Sequence, residues 1–152
     1  MTSEIKNVPM NRPPLTRKYY APPGWMDHWQ PNHPVPVTEE QFAEAMERMD
    51  EAMKRPEPEE VAIAIRRIME FLLAFGLAPP AESREIVIRA YKAIIEQTPA
   101  DLVPVMVERV TMGLRYHKTP LPGDLEAAVA PEIERRNHTR LKADLLLMVT
   151  GW

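Results

Sequence analysis

Residues Arg84–Glu126 read REIVIRAYKAIIEQTPADLVPVMVERVTMGLRYHKTPLPGDLE. Ile86, Val87, Ala90, Tyr91, Ile94 and Ile95 recur at the spacing of an amphipathic helix. Ser83 stands where a cap belongs, so this helix is expected to end near Gln97. Thr98-Pro99-Ala100-Asp101 is a second start signal: a hydroxyl cap, proline at the first position and an acid in the first turn. Leu102, Val103, Met106, Val110 and Leu114 would then face inward. Pro104 either kinks the first turns or marks Asp101 as the true cap, where no intrahelical N–H is lost. Thr119-Pro120-Leu121-Pro122-Gly123-Asp124 reads as a turn before a short helix, Leu125–Ala130. Pro131 should break or kink the chain there. A last helix is expected over Glu132–Met148, with Ile133, Leu141, Leu145 and Met148 on one side.

The same logic extends toward the N-terminus. Thr38 and Gln41 fit a capping box, and Val37 and Phe42 a hydrophobic staple, at the head of a helix ending before Pro56. Pro58 suits the first turn of the next helix, which should run to Phe75. Val61, Ala62, Ile65, Ile68, Met69, Leu72 and Leu73 give it a broad apolar face, widened by Ile63, Ala64, Phe71 and Phe75, so it should be central. Gly76 is placed for a left-handed stop. Strand alternation and Asn-Gly turns are missing, and no repeat of 20–50 residues is found. The fold expected is all-α: a compact bundle of five to six helices over 38–152, after an extended Pro-rich arm over 1–37.

Composition sets further bounds. The chain has 152 residues, 45% hydrophobic and 27% charged, with a formal net charge of −3. That suits one compact domain plus tails and argues against non-specific nucleic-acid binding, which needs neutralised phosphates. A local basic patch, Arg109, Arg115, His117 and Lys118, reads first as a solvated helix end favoured by the macrodipole. There is no cysteine, which removes disulfides, thiol catalysis and Cys-ligated zinc. Leu145–Val149 and Phe71–Phe75 are too short for a membrane span. Met1–Asn11 is polar and lacks a signal-peptide core. A soluble, cytoplasmic protein is expected.

Chemical motifs are missing too. The five glycines form no phosphate-cradling loop. His28, His33, His117 and His138 show no i, i+4 pairing for a metal. The carboxylate pairs Glu39-Glu40, Asp50-Glu51 and Glu59-Glu60 sit in first turns or on polar faces. No cofactor, metal site or catalytic residue is expected. A helix-turn-helix reading of Ser83–Leu114 meets a short join without glycine and a second helix poor in base-reading residues.

Binding candidates lie at the two ends. Met1–Val37 holds Pro13-Pro14, Pro22-Pro23, Pro31, Pro34 and Pro36, yet also Tyr19, Tyr20, Trp25 and Trp29. Aromatic residues are depleted in plain linkers, so this segment should dock, either on its own core or on a partner. Leu145–Trp152 is apolar on every side, and either closes the core or forms a binding tip ending in Trp152. Met46, Met49 and Met53 form one stripe, suited to core packing or to an adaptable surface.

In Arg84–Glu126, Thr-Pro-Ala-Asp-Leu-Val followed by Tyr-His-Lys-Thr-Pro-Leu-Pro-Gly-Asp-Leu-Glu resembles the small helical proteins of phage replication modules, the helicase loader/inhibitor type. The likeness covers about a third of the chain and consists of caps and turns. It implies a non-enzymatic domain that holds a hexameric replicative helicase and delivers it to an origin-bound protein. It places the helicase-binding portion toward the C-terminus, by position Glu132–Met148. The partner-binding residues expected are Tyr19, Tyr20, Trp25, Trp29, Arg135, Arg136, Arg140, Leu145, Met148 and Trp152. Two alternatives stay open: a structural or assembly protein of a phage particle, docking and oligomerising through its arm, and a DNA-binding regulator.

Overall fold

A computed structural model describes residues 17–114 and 118–152, and all regular structure among them is helical. The elements are α1 Gly24–His28, α2 Glu39–Ala52, α3 Pro58–Ala74, α4 Ala81–Glu96, a 3-10 turn Ala100–Leu102, α5 Val103–Gly113 and α6 Pro122–Thr150. The all-α expectation holds among the described residues: five of the six helices lie within 38–152, and α1 falls in the segment expected to be extended. The chain gathers into two compact units, one of Arg55–Val129 with residues 17–19, the other of Tyr20–Lys54 with Ala130–Trp152.

In the first unit α3 packs against both α4 and α5, the central place its apolar face predicts. Its buried stripe is narrower than the sequence suggests: Val61, Ala64, Ile68 and Leu72 are inside, while Phe71, Leu73 and Phe75 are exposed. Its start is fixed by Pro58 in the first turn and by Glu60, whose Oε1 accepts the Glu57 N–H at 2.8 Å. Arg17 neutralises that buried carboxylate, donating from Nη2 at 2.7 Å and from Nε to the second oxygen. The other end is a Schellman stop: Gly76 has φ 71°, its N–H bonds Leu73 O, and the Leu77 N–H bonds Leu72 O at 2.7 Å. Tyr91 and Ile95 of α4, Met106 and Val110 of α5, and Leu125 and Val129 of α6 complete the core. Each large aliphatic side chain removed from water contributes about 1.5–3 kcal/mol.

Three local readings change here. Helix α4 begins at Ala81, not after Ser83; extended Pro80 precedes it, and the Ser83 hydroxyl donates to Pro80 O at 3.2 Å. Thr98 does not cap the next helix. Its hydroxyl donates back to Ile94 O at 2.9 Å and seals the end of α4. Pro104 falls in the first turn of α5, where a missing N–H costs no helical bond. The cap position is Leu102, reached through the 3-10 turn, rather than Asp101.

The second unit is built on α2. Thr38 and Gln41 form the reciprocal box, with bonds of 3.2 Å and 2.9 Å. Phe42, Met49, Met26, Trp29, Ala143 and Leu146 make its core, with Tyr20, Trp25, Val35 and Val37 packed against it. Residues 20–37 therefore dock on their own unit and are not a free arm. Pro13 and Pro14 lie outside the described residues.

The expected break at Pro131 does not occur: α6 is continuous from Pro122 to Thr150, with Pro131 inside. The ring is exposed. A proline disturbs the carbonyls of the preceding turn, and one of these, Ala128 O, accepts from Arg109 Nη1 at 2.6 Å. Gly151, at φ 72°, ends the helix.

Candidate functional site

The inner face of α6 is polar where it meets the segment bearing Trp25 and Trp29. Arg135 Nη2 contacts Asp27 Oδ2 at 3.0 Å, and Thr139 Oγ1 donates to Asp27 Oδ1 at 2.9 Å. Lys142 Nζ donates to Trp29 O at 2.6 Å. Arg136 is 3% exposed; it donates to Ala52 O and Tyr20 O at 3.2 Å and 3.0 Å and lies 5.3 Å from the Tyr20 ring centroid. Arg140 pairs with Asp50 at 2.6 Å. Arg135, Arg136, Thr139 and Lys142 supply donors to carbonyls and a carboxylate that burial would otherwise leave unsatisfied, whereas the Arg140–Asp50 pair is solvent-exposed.

This placement corrects part of the expected binding set. Trp29 and Arg136 are buried and serve the unit's own interior. Tyr20 and Trp25 are half-buried against that core. Arg135 and Arg140 reach solvent but are committed to Asp27 and Asp50. Tyr19 is exposed and belongs to the other unit.

The tail behaves differently. Leu146 is fully buried, and the Trp152 ring packs on Phe42 at 5.7 Å between centroids. Leu141, Leu145, Met148 and Val149 point away, with exposures of 62%, 42%, 80% and 54%. Their i, i+4, i+7, i+8 spacing puts them on one side of the helix. The side that the sequence marks as apolar is thus the solvent side. The inner face is carried by Arg136, Thr139, Lys142, Ala143 and Leu146, a mixture whose polar members conceal it from hydropathy. Leu145 and Met148 were expected to bind; Leu141 and Val149 complete their stripe. A contiguous exposed apolar strip of this kind marks an interaction surface more often than scattered apolar residues do.

Asn137 and Arg140, one turn earlier, line a cavity of about 210 Å³ together with Tyr20, Met49 and Met53. Met49 is buried while Met53 is exposed, so the methionine stripe serves both the core and the surface. Elsewhere, Phe71 and Phe75 are exposed at the end of α3, but they stack on each other at 6.5 Å and so cover part of their own area. Of the basic patch, Arg115 and His117 lie outside the described residues. Arg109 and Lys118 line a cavity of about 400 Å³ in the first unit, with Asp124 also in its wall.

Tyr91 is fully buried there and donates to Pro120 O; burial, and then the Asp124 charge, push its hydroxyl up to about 12. That makes it a structural phenol rather than an acid or base working near neutral pH. Among the described residues, His28, His33 and His138 are exposed, and no helix is long and apolar enough to cross a membrane. Compared with known proteins, the chain matches no family model, no curated protein and no solved structure.

Proposed function

We propose that this protein is a non-enzymatic helical adaptor whose working surface is the outer face of α6, from Leu141 to Val149. The observation that carries the reading is the stripe itself. Four large apolar side chains lie in water at helical spacing, on a helix whose opposite face already satisfies its own unit. Leaving them exposed forgoes burial worth about 25 cal/mol per Å², and docking a partner recovers it.

A hexameric replicative helicase, the partner implied by the likeness at Arg84–Glu126, is the first to test. In this reading the complex forms in the cytoplasm of the host, and contact runs through the apolar stripe. Arg135, Arg136 and Arg140 hold the stripe's own helix in place. Co-purification of the chain with replicative helicase is the experiment. A complex formed by the wild type and lost in Met148→Asp supports the reading. No complex at micromolar concentrations removes the helicase as partner.

A further inference from the structure

The charge around the stripe restricts what can cover it. The second unit carries ten acidic and six basic side chains. All six cations are engaged within it. Arg135 pairs with Asp27, Arg140 with Asp50, Arg48 with Glu44 and Lys54 with Glu51. Arg136 and Lys142 donate to backbone carbonyls. By contrast, Glu39, Glu40, Glu47, Glu134 and Asp144 are all exposed and make no ion pair among the described residues. On α6 the 3.6-residue period sets Glu134, Asn137, His138 and Asp144 around Leu141, Leu145, Met148 and Val149. The rim carries the carboxylates Glu134 and Asp144 and no lysine or arginine that is not already engaged.

Resting on the reading of this face as a docking surface, we propose that its occupant is a basic amphipathic helix of another protein. Apolar residues at i, i+4 and i+7 of that helix lie along Leu141, Leu145 and Met148. Lysines or arginines on its flanks meet Glu134 and Asp144. A second copy of this chain would set one acidic rim against an identical one, which repels. An anionic membrane or a nucleic acid brings negative charge to the same rim and is disfavoured for the same reason.

Two synthetic helical peptides test this, sharing one leucine stripe but flanked by lysine in one and by glutamate in the other. Fluorescence anisotropy against the full chain at low salt should show the lysine peptide binding about tenfold tighter, as expected of a few exposed ion pairs. The gap should close in high salt. Asp144→Lys with Glu134→Lys, both at exposed sites, should invert the preference, and Met148→Asp should weaken both peptides. Equal binding of the two peptides overturns the basic occupant while leaving the docking face standing. Binding of neither overturns the docking face as well. Self-association in light scattering that Met148→Asp abolishes, or binding to anionic vesicles, also overturns the proposal, in favour of a second copy or a lipid surface.

Discussion

Burial, with the nearby Asp124 carboxylate, pushes the Tyr91 hydroxyl up to about 12, from the ordinary 10.0 of the unfolded chain. A group whose folded value is raised contributes its stability fully below the unfolded value and loses it as pH rises toward the folded one. The protein should therefore weaken between pH 10 and 12, by on the order of 2 kcal/mol from this residue. Tyr91→Phe should flatten that loss. At neutral pH it should cost about 1–2 kcal/mol, because Pro120 O loses its donor. Urea titrations at the two pH values measure both effects. Glu60 works in the opposite sense. Burial alone would raise its carboxyl, but Arg17 and the Glu57 N–H more than offset this and hold it below the ordinary 4.5. Its contribution is present above that value and fades as pH falls. Arg17→Met strands the carboxylate and should destabilise by about 1–3 kcal/mol at pH 7, less than for a fully buried pair because Arg17 is partly exposed; the penalty should shrink in acid. Neither pair is legible in the chain, since Arg17 and Glu60 stand far apart and no periodicity links them.

At the scale of the element, capping and stop signals are legible wherever local chemistry decides. Thr38 with Gln41, Pro58 and Gly76 do in the structure what their positions require. The readings that change are those in which a signal has two uses. Thr98 has the hydroxyl of an N-cap, but the same hydroxyl bonds Ile94 O and finishes the preceding helix. Pro131 has the chemistry of a breaker, but α6 is anchored by Leu125 and Val129 before it and by Arg136, Thr139 and Ala143 after it. Packing on both sides outweighs a local cost of up to about 3 kcal/mol. Pro131→Ala should accordingly raise stability, by at most that amount, with an increase in helicity. Denaturation followed by circular dichroism checks this, and a lower midpoint would mean that the proline's geometry is itself required.

For the whole molecule, the all-α class follows from the absence of strand patterning, and the structure bears it out. The division into units does not follow from the order of the chain. Segments distant in sequence, Tyr20–Lys54 and Ala130–Trp152, share one core. The aromatic residues before Val37 signalled docking; which surface they dock on depends on donors at Arg136 and Lys142 that resemble ordinary surface cations in sequence. Leu145 and Met148 were legible as binding candidates because the tail is apolar, and the structure places both in solvent. That the exposed side also includes Leu141 and Val149 appears only when the inner face is seen to be partly polar. Met148→Asp, at the most exposed of these positions, should leave the unfolding free energy unchanged within about 0.5 kcal/mol, while removing partner binding. A change in stability of several kcal/mol would instead make the stripe part of the protein's own core. The most direct test of the docking face is a two-dimensional amide spectrum of the full chain titrated with the lysine-flanked peptide. Shift changes concentrated at Leu141, Leu145, Met148 and Val149 are predicted; changes centred on Phe71 and Phe75, or none at saturating peptide, would contradict it.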